Sequence, residues 1–184
     1  MDPLKIIEKY YKKDSDAYRI LVQHSAMVAK KALEIARRVP ELNPDIDFIK
    51  EAAMLHDIGM CETNAPDLDC HASLPYICHG YKGRELLDKE GLPKHALVCE
   101  RHTGTGLSID DINEQNLPIP LRDMMPKSVE EEIICLADKF YSKSPKWLGK
   151  AKTVAQARAL LKKFGEKKVR EFDALCEKYK EPMP

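Results

Sequence analysis

The sequence predicts an all-α fold, a compact helical bundle with extra helices at its C-terminal end. Apolar residues recur at steps of three and four along most of the chain. Cap residues, prolines and glycines stand where those periodic stretches begin and end. No segment shows the alternation of a half-buried strand, and there is no internal repeat or low-complexity tract.

The first periodic stretch covers about residues 16–39, with Leu21, His24, Val28, Ala32 and Ile35 on one face, and Pro40 ends it. Asn43-Pro44-Asp45 reads as a helix start, with a cap, a first-turn proline and acids at the positive helix end. The helix that follows places Ile49, Ala52, Ala53 and His56 on one stripe and stops at Gly59. Residues 60–74 have no period and read as a loop. A third helix is expected from about Pro75 to Glu90, ended by Gly91, and a fourth from Pro93 to Gly104 carrying Val98, Cys99 and His102. Residues 105–127 hold Gly106 and three prolines and read as a long, partly helical connection. Ser128 with Glu131 has the spacing of a capping box and opens a helix with Ile133, Ile134, Ala137, Asp138 and Tyr141 inward. Two Lys/Glu-rich helices, about 153–164 and 166–179, are separated at Gly165. Their interleaved charges read as solvated faces, not as a basic patch.

At 184 residues, one domain is expected, since domains typically run to about 100–200 residues. It would comprise a core over about residues 20–142 and covering helices over about 145–180. A chain this long buries roughly 70% of its unfolded surface, so folding demands no disulfide or structural metal. Lys plus Arg and Asp plus Glu are 30 each, giving zero formal charge. That excludes a bulk electrostatic partner, so stable nucleic-acid binding is not expected. No apolar run approaches the ~18 residues of a membrane span, and the opening residues lack the apolar core of a secretory signal. A cytoplasmic location with no membrane partner is expected; nothing points to an oligomeric state.

The six cysteines, Cys61, Cys70, Cys78, Cys99, Cys135 and Cys176, include no C-x-x-C pair. Reduced thiols are expected, with Cys99 and Cys135 as small core residues. Cys61, Cys70, His71, Cys78 and His79 could instead form an irregular zinc cluster, although structural zinc motifs have tighter pairs. Of the other histidines, His95 lies two helical turns before His102, roughly 10 Å away along a helix, too far to share an ion.

Four helices place metal-ligand residue types on their apolar stripes: His24, the pair His56-Asp57, His102 and Asp138. A lone histidine there is commonly a hydrogen-bonded core residue. An aspartate is harder to bury, because an unpaired carboxylate costs several kcal/mol inside a core. Facing helices of a bundle satisfy such a set around a divalent ion.

The string Leu55-His56-Asp57-Ile58-Gly59, with His24 upstream and Ala137-Asp138 downstream, resembles the HD-domain superfamily of metal-dependent phosphohydrolases. The stretches His79-Gly-Tyr-Lys-Gly-Arg-Glu-Leu-Leu and Arg101-His102-Thr-Gly-Thr-Gly-Leu look like an HDIG-type, uncharacterised hydrolase subgroup. The resemblance implies that His24, His56, Asp57 and Asp138 hold a first ion. It also implies that His79 and His102, the positions of extra histidines in two-metal relatives, complete a second site. Many relatives carry a basic residue just after the HDIG string, where this chain has Met60.

The implied cofactor is one or two divalent transition-metal ions; mixed imidazole and carboxylate ligation suits Fe, Mn, Zn, Co or Ni alike. The implied partner is a small phosphorylated metabolite or nucleotide, attacked by a metal-activated hydroxide. Asp57 is the candidate bridging residue. Lys82, Arg122 and Lys139 are candidate cations for the substrate phosphate; each could equally be a solvated surface charge. Gly80 and Gly83 beside His79 mark either tight helix packing or room for metal and substrate. Trp147 and Tyr141 pack or stack on a base. Two other readings share the ligand set: an HD-type di-iron oxygenase, and a catalytically silent metal- or nucleotide-binding regulatory module.

Overall fold

The computed structural model describes residues 1–182. Helix α1 (Pro3–Tyr10) is short and opens on Asp2, whose carboxylate accepts from the Leu4 amide. Helix α2 (Asp16–Ala36) starts at Ser15, which accepts from the Tyr18 amide, and buries Leu21, His24, Val28, Ala32 and Ile35. Helix α3 (Ile46–Leu55) is capped by Asp45, whose carboxylate accepts from the Phe48 amide at 2.9 Å. The expected start at Asn43 is thus displaced by two residues: Asn43 instead closes a 3-10 turn over Pro40–Leu42 in the left-handed conformation. Nor does α3 run on to Gly59; it stops at Leu55, and a 3-10 turn covers Ile58–Glu62.

The expected loop at 60–74 contains a small sheet. Strand β1 (Thr63–Ala65) lies between β2 (Cys70–His71), antiparallel, and β3 (Leu74–Pro75), parallel. Helix α4 (His79–Lys89) begins later than Pro75, because residues Tyr76–Cys78 form a 3-10 turn. Helix α5 (Pro93–Arg101) follows, then α6 (Ile109–Glu114) inside the long connection. Helix α7 (Val129–Asp138) is capped by Ser128, but the expected capping box is only half made. The Glu131 carboxylate turns away to accept two bonds from Arg101, both 2.9 Å, and one from the Lys127 amide. Helices α8 (Val154–Leu161) and α9 (Glu166–Lys178) complete the described chain.

Two apolar clusters frame the site. One joins α2, α3 and α7 with Ala157, Val169 and Phe172 of α8 and α9. The other joins Ile7 of α1, the start of α2, Leu55, Ile58, Leu87 and Cys99. Helix α4 is wedged against both the 58–62 turn and α5. A Cβ on Gly59 would stand 2.1 Å from the His79 carbonyl oxygen, and one on Gly83 3.1 Å from Cys99 Cβ. A Cβ on Gly80 would meet the Cys99 carbonyl at 3.0 Å. Of the two readings of Gly80 and Gly83, these contacts are helix packing.

Candidate metal centre

Five helices deliver six side chains to one point. His24 comes from the middle of α2; His56 and Asp57 follow the last turn of α3; His79 opens α4; His102 follows α5; Asp138 ends α7. His24, His56, Asp57, His79 and His102 are almost completely buried, and the Asp138 side chain is 11% exposed.

The carboxylate of Asp57 divides the set. Its Oδ2 faces His56 Nε2 at 3.0 Å and His24 Nε2 at 3.2 Å. Its Oδ1 faces His102 Nε2 at 3.2 Å and His79 Nε2 at 3.3 Å. Asp138 Oδ1 joins the first pair, 3.0 Å from His24 Nε2 and 3.6 Å from His56 Nε2. Two candidate ligand groups result, His24–His56–Asp57–Asp138 and Asp57–His79–His102, and Asp57 belongs to both.

Three of the four imidazoles are oriented in one way. His56, His79 and His102 each lie 2.7 Å, through Nδ1, from the carbonyl three residues earlier, of Ala53, Tyr76 and Cys99. A carbonyl only accepts, so each Nδ1 carries the proton. Nε2 is therefore the nitrogen that each ring turns toward the cluster. Such a hydrogen bond fixes the tautomer and orientation of a metal-ligating histidine. His56 Nε2 and Asp57 Oδ1 are buried and make no hydrogen bond of acceptable geometry. The donor set and these orphaned atoms fit divalent metal.

The electrostatics favour the ligand form at Asp57, Asp138, His79 and His102, while the two aspartates beside His56 favour its charged form. Burial raises the pKa of Asp57, but His56 and Lys143 outweigh it and hold the carboxyl well below its usual range. Burial is likewise overridden at Asp138, by Lys139 and Lys143. Burial pushes His79 down to about 3, against the pull of Asp57, and also lowers His102. Burial disfavours a charged His56 too, yet Asp57 and Asp138 push its pKa up to about 9.

The candidate phosphate cations fall into two groups. Lys139 Nζ lies 2.8 Å from Asp138 Oδ2 and 3.2 Å from the His102 carbonyl, at the cluster. Lys82 pairs with Glu85 on its own helix, and Arg122 with Glu100. The structure does not bring these two to the cluster. The cause at Arg122 is local: Glu100 is 2% exposed and needs cations, and Arg84 and Arg122 supply them.

Sequence reasoning missed Lys143. Its ammonium is 2.5 Å from Asp57 Oδ2 and 3.5 Å from His24 Nε2. Lys143 lies past the end of α7, where helical spacing no longer applies; its only sequence signal is proximity to Asp138. Tyr76 was also missed. Its ring stacks on His79 at 4.6 Å and 19°, holding that imidazole from outside.

The irregular zinc cluster does not form. Among the described residues no cysteine belongs to a candidate ligand group. Cys78 Sγ approaches the Pro118 carbonyl, His71 pairs with Asp69, and Cys61 and Cys70 pack in the second apolar cluster. His95 sits edge-on to Phe48, 3.5 Å from Glu51. Trp147 is half exposed, while Tyr141 packs on the first cluster. Among the described residues no helix is long and apolar enough to cross a membrane.

These features define a helical domain built round a histidine–aspartate cluster able to hold divalent metal. The family model described as HD domain matches residues 21–142, and the chain belongs to that family. A tRNA (cytidine(56)-2'-O)-methyltransferase of Picrophilus torridus is 30% identical over 131 residues, 71% of this chain and 34% of that protein. A protein of the same description from Thermoplasma volcanium is 26% identical over 74% of this chain and 35% of its own length. An uncharacterised protein of Methanocaldococcus jannaschii is 31% identical over 64% of both chains. The chain thus spans about a third of the two methyltransferases it matches. No solved structure matches.

Proposed function

We propose that this chain is a metal-dependent phosphohydrolase acting on a small phosphorylated metabolite or nucleotide. The observation that carries the reading is the division of Asp57, one oxygen toward His24 and His56 and the other toward His79 and His102. Bound divalent ions supply Lewis-acid polarisation of a phosphoryl oxygen and a water acidified toward neutral pH. His24, His56, Asp57 and Asp138 would hold one ion, and Asp57, His79 and His102 a second.

The remaining steps belong to the chain. Lys139 and Lys143 reach Asp138 and Asp57 with side chains 11% and 15% exposed, more than any imidazole of the cluster. They therefore mark the side from which substrate enters. Two ammonium groups there offset the charge that spreads over the phosphoryl oxygens in the transition state. Lys143 takes the role that a basic residue at Met60 would have; Met60 is fully buried in the apolar cluster around Leu55 and Ile58. The Nδ1 bonds of His56, His79 and His102 keep the imidazoles from turning as the substrate binds, so little reorganisation is needed.

The methyl transfer in the relatives' names does not carry over to this reading. About two thirds of each methyltransferase has no counterpart in the matched region, and a cluster of four imidazoles and two carboxylates is not needed to move a methyl group. The test is to reconstitute the purified protein anaerobically with Mn, Fe, Co, Ni or Zn. Phosphate release from a panel of phosphomonoesters and phosphodiesters is then measured beside oxygen uptake. Phosphate release that tracks metal content is expected. Oxygen consumption stoichiometric with product would replace the reading with that of an oxygenase, and nucleotide binding without turnover would replace it with that of a regulatory module.

A further inference from the structure

A cavity of about 290 Å³ is lined by Lys139 and by residues next to the metal-ligating ones in sequence. Its wall is apolar: Ile77, Leu107, Leu117, Leu161 and Phe164. It shares two stretches of backbone with the metal centre. Lys139 lines it and holds Asp138 Oδ2 at 2.8 Å, and Thr103, next to His102, lines it as well. Lys139 is therefore common to the cavity wall and to the end of the cluster where it would receive a phosphate.

Two features say what chemistry fits. Leu161 and Phe164 come from beyond residue 142, where the HD match ends, so the C-terminal helices close a cavity that the HD core leaves open. Phe164 is 67% exposed, a large apolar side chain left mostly uncovered by its own chain. Polar groups free to read a ligand are few. Lys168 is saturated by the Gly106 carbonyl, Asp111 and Glu171. Besides Lys139, engaged with Asp138 and the His102 carbonyl, that leaves the Thr103 hydroxyl and the exposed Gln115 amide, which offers one donor edge and one acceptor edge. A sugar would strip water from several hydroxyls with too few partners in return, at a cost for each one left unpaired. A flat ring with one polar edge matches the apolar wall and the single amide.

We propose that this cavity binds the alcohol portion of the substrate and selects phosphomonoesters carrying an aromatic or heteroaromatic ring over sugar phosphates, with Phe164 and Gln115 as specificity-determining residues. The proposal rests on the phosphohydrolase reading for the phosphate end only. The test uses the whole 184-residue chain, metal-loaded, and non-hydrolysable phosphonates. Phenylphosphonate should bind about tenfold or more tighter than methylphosphonate by calorimetry, the discrimination an apolar pocket gives a few added carbons. In Phe164→Ala that ratio should fall toward one, and in Phe164→Trp it should be restored. Removal of so exposed a ring leaves the fold intact, which circular dichroism and metal content check. Equal affinities for the two phosphonates in the wild-type protein, or a ratio untouched by Phe164→Ala, would overturn the cavity's role while leaving phosphate release as it stands. Binding of 1-naphthol, followed by its fluorescence, separates the two readings. Saturable binding lost in Phe164→Ala supports the cavity even if no phosphonate binds and no phosphate is released. Absence of naphthol binding to the wild-type protein counts against it.

Discussion

His79 Nε2 and His102 Nε2 face each other at 3.1 Å. Each ring gives its Nδ1 proton to a backbone carbonyl, so two lone pairs converge with no proton between them. Burial keeps both rings from protonating, and Asp57 Oδ1 stands opposite. A cation resolves this arrangement: two nitrogens each about 2.0–2.1 Å from one ion stand roughly 3 Å apart.

The metal stoichiometry follows from that relationship. Elemental analysis of the purified protein should give two divalent ions per chain. His79→Ala and His102→Ala should each lose about one, and Asp57→Ala both, because only Asp57 belongs to the two groups. Metal at a hundred times its dissociation constant stabilises a fold by ~2.7 kcal/mol. That is roughly 5–10 °C in Tm for a chain of this size, and Asp57→Ala should lose this response. Full metal retention in Asp57→Ala would contradict the shared-ligand geometry.

Lys143→Gln should keep both ions, since the ammonium is not a ligand, yet bind phosphate poorly. A hydrogen bond to a charged group contributes about 1.5–3 kcal/mol. The KM for a phosphomonoester and the inhibition constant of inorganic phosphate should therefore rise about 10- to 150-fold. Lys82→Gln, whose partner is Glu85, should change neither by more than about twofold. Equal effects of the two substitutions would argue against Lys143 as the phosphate cation.

How far each of these residues could be read from sequence depends on how it is held. His24, His56, Asp57 and Asp138 sit on or at the end of helical stripes whose other members are apolar, so a polar residue there has a defined inward direction. Lys143 lacks that, because α7 ends at Asp138 and the chain returns to the cluster through irregular backbone. The strands β1 to β3 have two or three residues each, too few for alternation to show. Helix α1 depends on the Asp2 cap and a single fully buried residue, Ile7, so its period carries little signal. Glu131 had the right spacing for a capping box but a stronger partner in Arg101, whose Nη1 donates to both carboxylate oxygens and which only the fold brings near.

Gly59→Ala should damage fold and centre together. The added Cβ would overlap the His79 carbonyl oxygen and the Gly83 amide, both backbone atoms that cannot swing aside. Overpacking of this kind costs about 1–3 kcal/mol or more, so Tm should fall by roughly 3–10 °C. Because the displaced segment carries His79, the second ion should be lost before the first, visible as one remaining ion per chain. Gly91→Ala, at a left-handed turn with open space around it, should cost stability through backbone strain alone and leave both ions bound.

Asp111 predicts an acid-sensitive contribution to stability remote from the metal ligands. Its carboxylate caps α6 through the Ser108 amide and accepts from Lys168 at 2.8 Å and Lys167 at 2.9 Å. Burial favours the neutral acid, but the two lysines and Ser108 override it and hold the pKa well below the usual carboxylate range. A depressed folded-state pKa stabilises the fold above the unfolded value of about 3.9 and ceases to do so as pH falls through the folded value. At pH 7, Asp111→Asn should therefore destabilise the protein by about 1–3 kcal/mol, because the buried Lys168 ammonium loses one of its two carboxylates and keeps Glu171 and the Gly106 carbonyl. The gap between wild type and variant should narrow as the pH is lowered below 3.9, toward the folded-state pKa. Urea unfolding of both proteins at pH 7, 4 and 2.5 measures it. A gap independent of pH would show that Asp111 acts through packing and the cap, not through its charge.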